Sequence, residues 1–292
     1  HPFTSRGIQM TLVERLKQRP AGLAIVAGLL LSACAPAAHT DGVSGGGSDT
    51  MLRIGDAARD AGDISAAIPI YRRAHMLAPL ELDPLLRLAN TLSNVGAHRE
   101  AGNAWKRALL IEPRSFDARL GYGETLAALD QPILALEQFR LAAELGSSAD
   151  MHNGMGVSHD LLGDAAAAQA AYREGLGDQR SLKLLNNLGL SLALSGEYGE
   201  AIAILEEANG FSSAGSRHRT NLALAYALSG QDGRARAIMA MDTDEVSAQR
   251  AQAFYTMLAS LPDHESRVAA VGTYSAVRDN GTRSTANPRR AR

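Results

Sequence analysis

One cysteine in 292 residues excludes an internal disulfide and supplies too few thiolates for a zinc or iron–sulfur site. Aromatic residues are scarce at 4%, and with abundant alanine they point to packed helices rather than sheet. Neither sign of charge dominates: 29 bases face 31 acids, a net charge of −2, and nothing in that balance invites nucleic acid. The chain also lacks a membrane-spanning run. Its one strongly apolar stretch, Ala21 to Leu31, is eleven residues long, about half of what a helix needs to cross a bilayer.

The lone cysteine, Cys34, stands just past that stretch. Taken alone, it is open to three readings: a small buried hydrophobe, a reactive thiol, or an acceptor for a covalent modification. Upstream, Met10 to Arg19 carries three basic residues against one acid. A basic segment, a short apolar segment and small residues at the exit describe a secretory signal. Met10 reads as the natural start, with residues 1–9 as tag or upstream translation. The exit, Leu31-Ser32-Ala33-Cys34, resembles the lipobox of bacterial lipoproteins; the competing reading is ordinary A-x-A cleavage around Ala33-Cys34-Ala35. The resemblance implies a diacylglyceryl group on the Cys34 thiol and cleavage that leaves Cys34 as the N-terminus. Each buried acyl methylene contributes roughly 0.8 kcal/mol, so several chains on one residue hold a domain at a membrane. Residue 35 is Ala rather than the Asp that retains many such proteins at the inner membrane, which implies the outer membrane, periplasmic face. Removing residues 1–33 takes away four bases (Arg6, Arg15, Lys17, Arg19) and one acid (Glu14), leaving 25 bases and 30 acids.

Residues 34–47 read as a flexible Gly- and Ser-rich tether. Beyond it the chain repeats. Gly62, Gly96, Asp130, Gly163, Gly196 and Gly230 stand at steps of 34, 34, 33, 33 and 34 residues, and a 34-residue period of helix pairs is the tetratricopeptide (TPR) signature. Five residues after each comes an alanine: Ala67, Ala101, Ala135, Ala168, Ala201 and Ala235. Four further on is a bulky residue: Tyr71, Trp105, Phe139, Tyr172, Leu205 and Met239. Small residues recur on the first helix of each pair: Gly55, Ala89, Gly123, Gly156, Gly189 and Ala223. These are the positions where two helices cross closely. The expected fold is therefore all-α, an α-solenoid of about six TPR pairs over 48–242, at about 48–81, 82–115, 116–148, 149–181, 182–215 and 216–242. Repeat six departs at Asp242, where a small residue is expected. Residues 243–262 read as a capping helix and 263–292 as a disordered tail with solvated arginines.

The chemistry of sites is thin. His152 and His159 are seven apart on one helix, next to Asp160, but a metal needs further converging ligands, and a packing role is the better reading of His159. Gly121-Tyr122-Gly123 lies within a helix and makes no phosphate loop. Asn280-Gly281-Thr282 matches a glycosylation sequon that carries little weight here. No catalytic residue, metal or cofactor is assigned. What remains is a groove lined by residues two, five, nine, twelve and thirteen of each repeat. These include Asp83, Asn90, Ser93, Asn94, Asp117, Glu124, Asp150, Asn153, Asp160, Lys183, Asn186, Arg217 and Thr220. Such a face takes an extended or helical segment of a protein partner. Leu86 stands where a carboxylate-gripping TPR would carry its first lysine, so that mode is not assigned.

A lipoprotein signal joined to TPRs is shared by pilotins of type IV pili, cell-envelope scaffold lipoproteins and the TadD family of the Tad (Flp) pilus system. Arg219-Thr220-Asn221-Leu222-Ala223-Leu224-Ala225-Tyr226, then Ala235-Arg236-Ala237-Ile238, and a last helix with Phe254-Tyr255-Thr256-Met257-Leu258 resemble the TadD C-terminus. The resemblance implies a non-enzymatic outer-membrane lipoprotein that assists assembly or localisation of a pilus machine, including its secretin. A pilotin or general scaffold is the alternative. An accessory subunit of a peptidoglycan-processing enzyme is the distant one.

Overall fold

In a computed structural model of the chain, residues 44–177 and 180–272 are described. The expected signal peptide, Cys34, the tether up to residue 43, and the tail from residue 273 with its sequon and arginines lie outside them.

Every period holds two helices. They are α1 (Ser44–Asp60) and α2 (Ile64–Leu77), α3 (Asp83–Asn94) and α4 (His98–Ile111), and α5 (Phe116–Ala128) and α6 (Pro132–Ala143). Then follow α7 (Ala149–Leu161) and α8 (Ala165–Leu176), α9 (Leu182–Ser195) and α10 (Tyr198–Asn209), and α11 (Ser216–Leu228) and α12 (Asp232–Met239). The described residues are helical throughout, with no strand. The all-α TPR solenoid read from the sequence is the fold observed.

The turn inside each pair is set by one left-handed residue. Gly62, Gly96, Gly163, Gly196 and Gly230 have φ between 77° and 91°, and Asp130 sits at φ 58°. That conformation lets the next backbone N–H reach back to a carbonyl in the last turn of the first helix. The bond is present in all six copies, for example Asp63 N to Ala58 O at 2.8 Å and Gln131 N to Leu126 O at 2.9 Å. Aspartate tolerates the conformation better than most residues, though less well than glycine. Asp63 and Asp164 then cap their second helices, accepting from Ala66 N at 3.0 Å and Ala167 N at 3.1 Å.

Packing within a pair is a large side chain seated on a bare backbone. The six alanines are fully buried, and so, to 6% exposure or less, are the six bulky residues. A Cβ added at Gly55, Gly123 or Gly189 would lie 2.5, 2.6 or 2.5 Å from Tyr71, Phe139 or Leu205, and at Gly156 it would overlap Tyr172 more closely still. The notch also works between repeats: Gly121 lies against Trp105 of the preceding pair, and Gly154 against Phe139. Trp105 donates its Nε1–H to Thr125 Oγ1 at 3.0 Å, and Tyr172 donates its hydroxyl to Asp160 at 2.8 Å, so buried rings keep their polar ends satisfied.

The ends differ from expectation in two places. The helix α1 begins at Ser44, inside the stretch read as tether to 47. Residues read as disordered tail include a helix, α14 (264–272), that follows the cap α13 (Glu245–Ala259). Asp242, the misfit of repeat six, lies beyond the shortened α12. It receives Arg219 Nε at 2.5 Å and Nη2 at 2.6 Å.

Gly123→Ala tests the notch through the sign of its effect. In an ordinary helix interior this change stabilises by about 1 kcal/mol; here overpacking against Phe139 is expected to destabilise by about 1–3 kcal/mol, read as a lower urea midpoint. Asp130→Gly is expected to stabilise by up to about 1 kcal/mol by relieving the left-handed backbone.

Candidate functional site

Because second helices cover one side of each first helix, residues two, five, nine, twelve and thirteen of the first helices share the other. Consecutive first helices meet along this face. Lys183 Nζ lies 2.9 Å from Asp150, Ser93 and Thr125 hydroxyls are 3.2 Å apart, and Ser191 donates to Asp160 at 2.7 Å. Asn187 donates to Asn153 at 2.7 Å, Asn186 to Asn187 at 3.3 Å, and Asn221 to Asn186 at 2.9 Å. The amides thus form a ladder across α7, α9 and α11.

This ladder changes the standing of several sequence-picked residues. Asn153 and Asn186 are buried, at 6% exposure each, with their carbonyls already occupied. Ser93 is half-buried against Thr125. These three join repeats together. Asn90, Asn94, Asp117, Glu124 and Arg217 are exposed, as is Asp83, whose carboxylate lies 3.6 Å from Arg87. The exposed set sits mainly on α3 and α5. Sequence spacing places all of them on one face, but it cannot distinguish an amide pointing into solvent from one bridging to the next repeat.

Electrostatics follows the geometry. Although Glu124 is exposed to solvent, the surrounding groove walls desolvate its carboxyl and raise it above the ordinary value; Lys183 opposes this and Asp150 adds to it. Those three residues, from repeats three, four and five, therefore feel one another. At the N-terminal end burial pushes Asp56 up, but hydrogen bonds from Tyr71 and Arg87 and the charges of Arg87 and Arg59 outweigh it and leave the carboxyl lowered. Burial and the bond to Asp56 push the Tyr71 phenol up to about 12.

His152 and His159 do not form a centre with Asp160. The His152 ring is buried, with Nε2 3.0 Å from Ser147 Oγ. His159 is half-buried, its Nδ1 4.0 Å from Asp164. Asp160 instead receives Tyr172, Ser191 and a residue from far along the chain, His264, whose Nε2 is 3.0 Å away. Among the described residues no group of three or more His, Cys, Asp or Glu is placed to hold a metal ion. The sequence reading missed Asn187, Ser191 and His264. The first two were legible as polar residues four apart on α9, about one repeat after Asn153 and Asp160; His264, 104 residues from its partner, carried no local signal.

No family model and no curated protein matches the chain. Solved structures do. PilW, described as a widely conserved type IV pilus biogenesis factor, superposes with a TM-score of 0.64 at 16% identity, covering 70% of this chain and 98% of PilW. PilF from Pseudomonas aeruginosa gives 0.59 at 14% identity, covering 72% and 98%. A tetratricopeptide repeat protein from Parabacteroides merdae gives 0.60 at 15% identity, covering 72% and 84%. At these identities the likeness shows the fold.

Asn187→Ala leaves the buried Asn153 carbonyl without its donor and is expected to destabilise by about 1–3 kcal/mol. Adding Asn153→Ala should cost less than the sum of the two single changes. Glu124→Gln has a pH signature. A carboxyl raised by folding weighs against the folded state only once it ionises in the unfolded chain, above about pH 4.3. The variant should therefore melt higher than wild type at pH 7, and the gap should close as the pH falls below that value.

Proposed function

We propose that this protein is a lipid-anchored interaction scaffold of the bacterial envelope that assists assembly of a pilus machine of the Tad (Flp) type, including its outer-membrane secretin. It acts by binding, with no chemistry of its own. The observation that carries this reading is the face of the first helices: a continuous row in which Asn90, Asn94, Asp117 and Glu124 are exposed while buried amides hold the repeats in register. A rigid row of donors and acceptors at helical spacing suits a segment of another protein. Cys34 supplies the anchor, which places the protein on the periplasmic face of the outer membrane.

A second reading, a type IV pilotin, is favoured by the likeness in fold to PilW and PilF across about 70% of the chain. The two differ in which secretin is the client.

One experiment addresses both. The protein is recovered from detergent-solubilised envelopes and blotted for each secretin, as wild type, as Cys34→Ala, and as Asn90→Ala/Asn94→Ala/Glu124→Gln. The expected outcome is a Tad secretin recovered with wild type, mislocalised with Cys34→Ala, and reduced at least tenfold with the groove variant. Recovery of a type IV secretin instead selects the pilotin; recovery of neither removes both readings.

A further inference from the structure

The helix α14 lies on the same face as the exposed groove residues, against repeats four and five. Its His264, Arg267, Val268 and Val271 follow helical spacing of i, i+3, i+4 and i+7 and form one stripe. His264 sits between Asp160 and Ser195, with Nε2 3.0 Å from the carboxylate and Nδ1 3.1 Å from the hydroxyl. Arg267 donates through Nη1 to Leu194 O at 2.9 Å, at the last turn of α9, where carbonyls lack helical partners. Its Nη2 and Nε hold Leu261 O at 3.0 and 3.2 Å. Val268 and Val271 lie over Val157 and Leu161 of α7 and Leu190 and Leu194 of α9. Val157, Asp160, Leu161, Leu190 and Leu194 are groove positions nine, twelve and thirteen.

The seat is incompletely filled. A cleft of about 190 Å³, partly open to solvent and lined chiefly by those aliphatic side chains, borders the two valines. Apolar atoms lining it remain in contact with water, and a larger side chain would cover them.

We propose that the groove of repeats four and five is a docking site for an amphipathic helix of a partner protein, and that α14 is its internal competitor. The partner helix carries a hydrogen-bond donor or cation for Asp160, a base for the C-terminus of α9, and apolar residues larger than valine where Val268 and Val271 sit. Asp160 rewards a cation because Tyr172 and Ser191 give its carboxylate two hydrogen bonds but no opposite charge. Leucine, methionine or phenylalanine in place of the valines reaches into the cleft, so the partner gains contacts that α14 lacks. Held on the same chain, α14 competes at an effective concentration on the order of millimolar. Weak segments are thereby excluded, and only a better-fitting helix displaces it. This deepens the binding reading above and rests on it.

The test uses the full chain, isotope-labelled for NMR, and synthetic peptides of residues 262–272. In the variant Val268→Asp/Val271→Asp, which releases α14, the native-sequence peptide is expected to shift the amides of Val157, Asp160, Leu190 and Leu194. Wild type should respond at least tenfold more weakly. A peptide with leucine at both valine positions should bind about tenfold tighter than the native one, from two added buried methylenes. His264→Ala/Arg267→Ala releases the helix through its polar contacts and should respond as the first variant does. If both released variants keep wild-type circular dichroism yet show no shifts, shifts elsewhere, or the same response as wild type, the proposal fails. Secretin recovery is scored separately on the same variants. Peptide binding without secretin recovery removes the pilus reading and leaves the docking site; secretin recovery unchanged by release, with no peptide binding, does the reverse.

Discussion

Everything in this solenoid depends on a side chain meeting a backbone. A ring or long aliphatic side chain from the second helix of each pair lies where the first helix carries glycine or alanine. Two helices can then approach closely while large side chains still fill the space between them. Because the notch is narrow, the approach has little freedom, and the face of the first helix turned away from the contact is fixed with it. The row of groove residues is a consequence of that contact. So is the register of the amide ladder, which requires successive first helices to stand at hydrogen-bonding distance.

The ladder and the exposed row divide one face between two tasks. Across repeats four to six, Asn153, Asn187, Asn186 and Asn221 bond to one another. Buried amides left without partners are costly, so this network specifies how the repeats stack. Across repeats two and three, side chains of similar chemistry face solvent, and glycines at 121 and 154 let the rings of Trp105 and Phe139 join each pair to the next instead. Repeats that stack through rings leave their polar groove residues exposed.

The C-terminal segment ties these levels together. The stretch after Pro262 folds back over repeats four and five rather than ending at the cap. Its contacts are of the kind a ligand helix would make: a donor on a groove carboxylate, a guanidinium on helix-end carbonyls, and two valines over an aliphatic cleft. The face is thus open across repeats two and three and carries α14 on the C-terminal parts of α7 and α9.

The amino-acid sequence by itself determined the helix pairs, their period and their crossing points. Turn geometry and close packing are local demands, written as a glycine or Asp130, an alanine and a bulky residue at constant spacing. It also determined which residues share the groove face, since helical periodicity is a property of the chain. Only the tertiary structure decided which of those residues are available. Asn153 and Asn90 look alike in sequence, yet one is buried by the next repeat's Asn187 and the other is exposed. The structure alone also decided that residues 264–272 are a helix laid on the groove, because its hold comes from Asp160, Leu194 and Ser195. These partners lie 69 to 104 residues away, a distance over which no repeat pattern carries information.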